Sequence, residues 1–221
     1  MSARRIAILA SGGGSNLQCI IEHFSRSPAN SVGTVVLVGS NRTDSGALQR
    51  AHSAGIATHY IDVASSGAAL LEALRAADAE LLVLAGYLKL VPLEVVNAFC
   101  GRMLNVHPAL LPAFGGHGMY GRRVHEAVIA AGVRLTGVTV HFVNEAFDRG
   151  AIAAQWPVAV LLDDNAQTLA ARVLQVEHLL YPVVIEAVAA GTIALHANGR
   201  VNGSLPLTSP FATNVPTLFL T

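Results

Sequence analysis

Short apolar runs and amphipathic segments alternate along most of the chain. Continuous apolar runs, such as Thr34 to Gly39 and Glu80 to Ala85, are typical of parallel strands that are covered on both faces. The segments between them place apolar residues at helical spacing. The pattern therefore predicts an α/β fold with three layers, α/β/α, around a doubly wound and mostly parallel, Rossmann-like sheet. The predicted strands cover residues 4–9, 34–39, 58–61, 80–85, 103–107, 135–143, 152–160 and 192–196, and the predicted helices begin near residues 17, 45, 68, 93, 122 and 166.

The last two long strands predict a change of direction in the sheet. Residues 135–143 alternate between faces, an acidic turn follows, and residues 152–160 return as a second strand. Strands joined by so short a turn pair antiparallel, so we expect an antiparallel strand near one edge. No interior linker divides the chain. We therefore predict a single domain over residues 1–197, with halves 1–100 and 101–197, and a loosely attached tail over residues 198–221.

Charge and composition argue against nucleic-acid-binding and membrane proteins. The chain has 14 basic and 14 acidic residues, so it carries no net field of the kind that holds nucleic acid by its phosphates. Polar residues interrupt every apolar run before it is long enough to cross a bilayer. The first residues do not resemble a signal peptide, and Cys19 and Cys100 lack metal-site spacing. We therefore expect a cytoplasmic protein without a metal, a nucleic-acid partner or a membrane partner.

The segment Asn105-Val106-His107-Pro108 holds the candidate catalytic side chains. Alternation along a strand places Asn105 and His107 on one face and Val106 on the other. Pro108 cannot extend the hydrogen-bond ladder, so both polar side chains lie where the strand ends. Ligands of open α/β sheets bind beyond the carboxyl ends of the strands. A capping asparagine and a core histidine would give the same pattern.

A glycine-rich turn follows the first predicted strand. Three glycines, Ser15 and Asn16 precede an amphipathic helix. Glycines let the backbone approach an anion closely, and we expect Ser15 and Asn16 to cap the helix whose first N–H groups face that anion. The segment therefore predicts a phosphate site, although it matches neither the GxxxxGK[ST] motif nor the spacing of a dinucleotide site. A tight turn without a ligand is the alternative.

Three further segments carry candidate binding residues. The loop from Leu88 to Val91 is unusually apolar, which fits core packing as well as a ligand wall. His117, Arg122 and Arg123 add positive charge beside the candidate site, and solvated loop charges would look the same. Glu177 lies on a helix that is otherwise rich in apolar residues, and this pattern by itself indicates a surface glutamate.

Four fragments resemble the phosphoribosylglycinamide formyltransferases of purine synthesis. They are SGGGSNLQ, LNVHPALLP, TVHFVNEAFDRGAI and QVEHLLYP, and they follow the order and spacing of that family over residues 4 to 196. The four in sequence are highly specific. The resemblance implies transfer of a formyl group from the co-substrate 10-formyltetrahydrofolate to the primary amine of glycinamide ribonucleotide. It also implies small-molecule partners, and it is compatible with a homodimer.

The resemblance implies a role for each matching residue. The catalytic residues of the family fall on Asn105, His107 and Asp148. The ribose-binding acid falls on Glu177, in place of the surface position that the pattern indicates. The phosphate loop falls on Gly12, Gly13, Gly14, Ser15 and Asn16, and the folate pocket on Leu88, Lys89, Leu90, Val91, Asn105, Asn144 and Asp148. Residues 1–100 are thus the expected phosphate-binding half, and residues 101–197 the expected catalytic and folate-binding half.

The implied chemistry suits these residue types. Attack of an amine on a formyl carbon gives a tetrahedral adduct with charge on oxygen, and donors aimed at that oxygen lower the barrier. Asn105 would supply a neutral donor and His107, if protonated, a charged one. Because an ordinary imidazole has a pKa of about 6.5, we expect Asp148 to favour the cation and to offer a route for the proton of the amine. No covalent intermediate is needed, since juxtaposition of the substrates removes much of the barrier.

Two segments depart from the family pattern. Where many members have Lys-Tyr-Pro-Gly, this chain has Ala113-Phe114-Gly115-Gly116. The segment after Val63 is short, and no basic residue aligns there with the one that some members place near the folate tail. The contacts of the folate glutamate are therefore not predicted.

Three other functions compete with the transferase. Methionyl-tRNA formyltransferases share the Asn/His/Asp set, but the neutral charge and short tail of this chain disfavour that reading. A formyltetrahydrofolate deformylase would hydrolyse the same donor, and usually carries an amino-terminal regulatory domain. A non-catalytic sugar-phosphate-binding module would use the glycine-rich turn and Glu177 without convergence of the catalytic residues.

Overall fold

The computed structural model describes residues 3–26, 31–64, 67–203 and 205. Strands and helices alternate along most of this length, as the hydrophobic pattern predicts. The strands are β1 (Arg4–Leu9), β2 (Gly33–Ser40), β3 (Ala57–Tyr60), β4 (Leu81–Leu84), β5 (Met103–His107), β6 (Leu135–Phe142), β7 (Ile152–Ala159), β8 (Ile193–Leu195) and β9 (Val201–Gly203). The helices are α1 (Ser15–Ser25), α2 (Gly46–Ser53), α3 (Ala68–Ala76), α4 (Leu93–Ala98), α5 (Arg122–Ala130) and α6 (Ala166–Ala189).

Seven strands form one sheet in the order β3-β2-β1-β4-β5-β6-β7. The first five of them pair parallel. β6 runs antiparallel to both of its neighbours, so the predicted antiparallel strand near one edge is confirmed. The strand order reverses between β1 and β4, and ligands of doubly wound sheets bind in the crevice at such a point.

The sheet separates two apolar layers. Along β1, Ile6 and Ile8 pack into one cluster with residues of α1, α5 and α6, while Ala7 and Leu9 pack into the other cluster with α3 and α4. Alternation along a buried strand produces this division, because successive side chains point to opposite faces. Full burial of each large side chain contributes roughly 1.5–3 kcal/mol.

Helix α6 lies across the first of these layers. Its amino end has a capping box, in which Asn165 and Thr168 bond to each other's backbone N–H groups. The Tyr181 hydroxyl lies 3.0 Å from the Leu84 carbonyl oxygen and 3.1 Å from that of Leu104, so it links α6 to both β4 and β5. By length and composition α6 could cross a membrane, but 44% of its most apolar stretch is buried in the protein. Packing against the sheet accounts for that apolar character.

The end of the described chain differs from expectation. Residues Val201–Gly203 pair antiparallel with β8 as a small second sheet, so this part of the predicted loose tail is attached. Sequence composition misses the pairing because both strands are short, with three residues each. The remainder of the predicted tail, residues 206–221, lies outside the described residues.

Candidate active site

Neighbouring strands carry the polar side chains of the candidate site. Asn105 and His107 lie on one face of β5, as alternation predicts, and His141 of β6 is the direct cross-strand partner of Asn105. Asp148 lies in the loop that joins β6 to β7. The antiparallel pairing of β5 and β6 therefore brings two histidines, an amide and a carboxylate together.

The backbone of the β6–β7 loop aims Asp148 at the two histidines. Asp148 adopts a left-handed conformation with φ of 53°, which aspartate tolerates better than most side chains do. A Cβ atom at Gly150 would collide with the Phe142 carbonyl, so the loop closes against the sheet only with glycine there. One Asp148 oxygen, Oδ2, accepts a hydrogen bond from the Gly116 N–H at 3.0 Å. This bond ties the carboxylate to the loop that follows β5.

Asp148 faces each ring through a different oxygen. Its Oδ2 lies 3.5 Å from His107 Nδ1, and its Oδ1 lies 3.6 Å from His141 Nε2. Burial would raise the pKa of the Asp148 carboxyl, but the two histidines and the Gly116 N–H together hold that pKa below its usual value. Asp148 is therefore ionised at neutral pH.

Asn105 is held by His141. The Asn105 Nδ2 group lies 3.1 Å from His141 Nε2 and 3.5 Å from Asp148 Oδ1. His141 Nδ1 donates to the Phe142 carbonyl oxygen at 2.9 Å, which holds the ring with Nε2 facing both the Asn105 amide and Asp148 Oδ1. The amide orientation of Asn105 is thus set by the strand beside it.

His107 is more buried than its expected role suggests. Its ring is 4% exposed, with Nε2 lying 2.8 Å from the Phe114 carbonyl oxygen and Nδ1 facing Asp148. Burial lowers the pKa of His107, and the opposing effects of Asp148 and the Phe114 carbonyl do not overcome it. The expectation that Asp148 favours the His107 cation is therefore wrong, because the loss of water around the ring outweighs the carboxylate.

A second buried carboxylate lies elsewhere in the same cavity. Glu177 is 8% exposed, and its Oε2 accepts a hydrogen bond from Asn16 Nδ2 at 2.6 Å. Burial raises the pKa of Glu177 to about 7, against the opposing effect of the Asn16 amide. The surface position that the helical pattern indicates is therefore wrong, and the position implied by the family resemblance is correct in placing Glu177 in the pocket.

These residues line a cavity of about 630 Å³, a size typical of small-molecule sites. The loop from Leu88 to Val91 forms one wall, and His117, Arg122 and Arg123 also line the cavity, so all of these predicted positions face it. Asn144 does not line it, and its Oδ1 instead accepts a hydrogen bond from the Ala146 N–H. Asn144 shapes the turn that carries Asp148.

The glycine-rich turn lies beside this cavity, and Asn16 is its member that lines the wall. Helix α1 begins after Gly14, which has φ of 74°, and no side chain caps it, so the expected capping by Ser15 and Asn16 is wrong. Asn16 bonds to Glu177 instead. A Cβ atom at Gly12 or Gly13 would meet nothing within 4 Å, so the turn is open at these two glycines.

The chain matches proteins of known activity over most of its length. Residues 4–185 match the family described as formyl transferase. The chain is 44% identical over 203 residues to the chloroplastic phosphoribosylglycinamide formyltransferase of Arabidopsis thaliana, which covers 89% of this chain and 69% of that protein. It is 36% identical over 204 residues to the phosphoribosylglycinamide formyltransferase of Escherichia coli (strain K12). That alignment covers 87% of this chain and 91% of the Escherichia coli protein. The crystal structure of glycinamide ribonucleotide transformylase 1 from Symbiobacterium toebii aligns with a TM-score of 0.82 at 37% identity, over 90% of this chain and 93% of that one.

The chain belongs to the phosphoribosylglycinamide formyltransferase family. It is therefore a formyltransferase of purine biosynthesis, as its four sequence fragments predict. The fold of the family is also the one predicted from the alternation of strands and helices. Among the described residues, no group of three or more His, Cys, Asp or Glu side chains could hold a metal ion.

Sequence reasoning missed two residues that line the cavity, His141 and His125, and a third, Ser11, that holds the cavity residue Leu88. His141 could have been found, because alternation along β6 puts it on a known face and a short turn fixes the pairing. Ser11 joins three strand ends, since its hydroxyl donates to Asn41 Oδ1 at 2.6 Å and accepts the Leu88 N–H at 3.0 Å. His125 of α5 is 5% exposed and lines the cavity, and no motif marks it.

Proposed function

We propose that this family member transfers the formyl group of 10-formyltetrahydrofolate directly to the amine of 5'-phosphoribosylglycinamide, with Asn105, His107 and Asp148 as its catalytic residues. One observation carries the assignment: these three side chains, up to 43 positions apart in the chain, meet at the wall of one cavity. A fold without catalytic purpose has no need of an ionised carboxylate between two buried rings.

Asn105 supports the tetrahedral adduct by donating to the formyl oxygen. Its amide nitrogen Nδ2 lies 3.1 Å from His141 Nε2, and its second N–H has only Asp148 Oδ1, which is 3.5 Å from Nδ2, at the outer limit of a hydrogen bond. That second N–H is available to a substrate oxygen without the loss of a strong contact. A fixed donor of this kind is worth the most where charge develops in a dry site.

His107 and Asp148 handle the proton. Both ring nitrogens of His107 face oxygen atoms, those of Phe114 and Asp148, so a protonated ring can donate to both. Burial opposes this by lowering the pKa of the ring, which favours its neutral form. Negative charge on the formyl oxygen adds to the attraction for a proton. As the amine nitrogen bonds to the formyl carbon, the proton that it loses passes to the His107–Asp148 pair. The same proton then reaches the folate nitrogen as the bond between that nitrogen and the formyl carbon breaks.

The two substrates approach from different parts of the cavity. The open turn over Gly12 and Gly13 and the free N–H groups of α1 suit the phosphate, and Glu177 beside Asn16 suits the ribose hydroxyls. Leu88 and Leu90 are 49% and 55% exposed on the cavity wall, which suits the flat face of the folate. We further propose that residues 1–197 form the catalytic unit, that it acts in the cytoplasm, and that its partners are small molecules, with a homodimer compatible with this arrangement.

An assay of purified protein separates this function from the alternatives. The protein is incubated with 10-formyltetrahydrofolate, with and without glycinamide ribonucleotide, and donor loss is followed together with the formylated product. Consumption that requires the amine supports the transferase. Equal consumption in buffer supports a hydrolase, and binding of both ligands without consumption supports a binding module.

A further inference from the structure

One polar atom in the cavity wall has no partner and no assigned role. Nδ1 of His125 is buried and has no hydrogen bond to any described residue. The side chain is 5% exposed and still lines the cavity. Buried polar atoms are satisfied in the great majority of cases, and leaving one unsatisfied is unfavourable. An imidazole nitrogen without a partner, on a buried side chain of the cavity wall, therefore indicates a contact that a ligand completes.

The layers of the fold identify which substrate His125 meets. Helix α5 packs against α6, the helix of Glu177, and α6 also packs against α1, the helix of Asn16. Val91 and Tyr87 instead pack into the apolar layer on the opposite face of the sheet. His125 thus approaches from the side that holds the groups proposed for the ribonucleotide, away from the proposed folate wall.

The position along that side is near the reacting centre. His125 and His107 line the same cavity, where burial lowers the pKa of His125 and a charge on His107 lowers it further. His125 is therefore neutral at neutral pH. A neutral imidazole offers one donor and one acceptor, which match the amide and amine groups of a glycinamide arm.

We propose that His125 Nδ1 hydrogen-bonds the glycinamide arm of the bound ribonucleotide next to His107, and so positions its amine for attack. The inference rests on the proposed function, because it takes the ribonucleotide as the ligand of this side. His125 is a substrate-positioning residue in this scheme, and the chemical step still depends on Asn105, His107 and Asp148.

Three variants separate this contact from a packing role. His125→Leu removes both ring nitrogens, His125→Asn keeps a polar atom near the place of Nδ1, and His125→Gln places one near that of Nε2. We expect His125→Leu to raise the KM for the ribonucleotide roughly tenfold, the effect of one neutral hydrogen bond, and to leave the KM for the formyl donor within about twofold. His125→Asn should stay near the wild-type KM, and His125→Gln should not.

His178 offers a matched control. It is a half-buried histidine of α6 whose Nε2 is also buried without a partner, and it does not line the cavity. We expect His178→Leu to leave both KM values unchanged. Ribose 5-phosphate is the second control, since it lacks the glycinamide arm, and its binding to His125→Leu should equal its binding to the wild type.

Several results would overturn the inference. An unchanged ribonucleotide KM in His125→Leu does so, as does an equal rise in both KM values, which indicates displacement of α5. Weaker binding of ribose 5-phosphate contradicts the assignment to the glycinamide arm. If circular dichroism shows that His125→Leu is unfolded, the two polar variants decide. Equal ribonucleotide KM values for His125→Asn and His125→Gln then overturn the inference. A wild type that binds the ribonucleotide without turnover refutes the proposed function, while calorimetric binding to the same variants still tests His125.

Discussion

The cavity holds two buried carboxylates whose pKa values move in opposite directions. Glu177 and Asp148 have similarly small exposed fractions. Glu177 has a single amide donor, from Asn16, and its pKa rises to about 7. Asp148 has two imidazole rings and a backbone N–H, and its pKa falls below the usual value. Glu177 is the more deeply buried of the two and has the fewer neighbours, so depth and neighbours together decide the direction of each pKa shift.

The two ends of the cavity therefore suit different tasks. A carboxylate that stays ionised beside His107 can attract a proton throughout the neutral range. A carboxyl group with a pKa of about 7 can accept hydrogen bonds from ribose hydroxyls when it is ionised. In the proposed function, the same residue chemistry serves reaction at one end of the cavity and recognition at the other.

The largest effect is expected from Asp148→Asn. Asparagine has the same shape and tolerates the left-handed backbone of this position, so the fold should persist while the negative charge is lost. We expect kcat/KM to fall roughly 10²–10⁴-fold, the range for loss of a positioned acid–base group. Steady-state kinetics with both substrates measure it, with thermal unfolding as the control for folding. Turnover like that of the wild type would refute the proton role.

His107→Ala should give the next largest loss. The variant removes the ring that lies between Asp148 and the Phe114 carbonyl, and we expect kcat to fall at least about 100-fold. Since the ring is buried, some loss of stability is expected as well, and assays belong well below the unfolding temperature of the variant. Retention of kcat in a folded His107→Ala protein would remove His107 from the mechanism.

Glu177 should give the protein a pH-dependent stability. The pKa of its carboxyl is about 7 in the folded protein, against 4.5 as the ordinary value, so between these values the folded protein binds more protons than the unfolded chain does. The free energy of unfolding therefore falls as pH rises from 4.5 to 7, by about 3 kcal/mol. Glu177→Gln should flatten that decline.

Denaturant unfolding at pH 5 and pH 8 provides the measurement. Asp148→Asn is the contrasting variant. Its wild-type carboxyl has a lowered pKa, so it stabilises the fold above its ordinary pKa and loses that effect only as pH falls through the folded value. Equal declines between pH 5 and pH 8 in the wild type and Glu177→Gln would show that Glu177 is not the group responsible.

The smallest effect concerns recognition. We expect Glu177→Ala to raise the KM for the ribonucleotide roughly 10–100-fold, the range for hydrogen bonds to a charged group, with little change in kcat. The formyl-donor KM should stay constant and serves as the internal control. A collapsed kcat with an unchanged ribonucleotide KM would place Glu177 in the chemical step.

Sequence periodicity predicts the sheet and half of the site. Alternation and Pro108 place Asn105 and His107 at a strand end because both rules concern neighbouring residues. The same rules fail for Glu177, since a helical pattern does not distinguish a residue that faces a cavity from one that faces solvent. They also fail for the pKa of His107, because the depth of a side chain depends on loops from distant parts of the chain.

The collision at position 150 limits how this enzyme could be re-engineered. Any side chain there would strike the Phe142 carbonyl, so mutant libraries built on the β6–β7 corner have to keep Gly150 invariant. Glu145 in the same corner is exposed and does not line the cavity, so it is where random substitution is tolerated. Diversity aimed at new formyl acceptors is better sought at Ala146 and Phe147, which border the pocket and leave the anchor of Asp148 untouched.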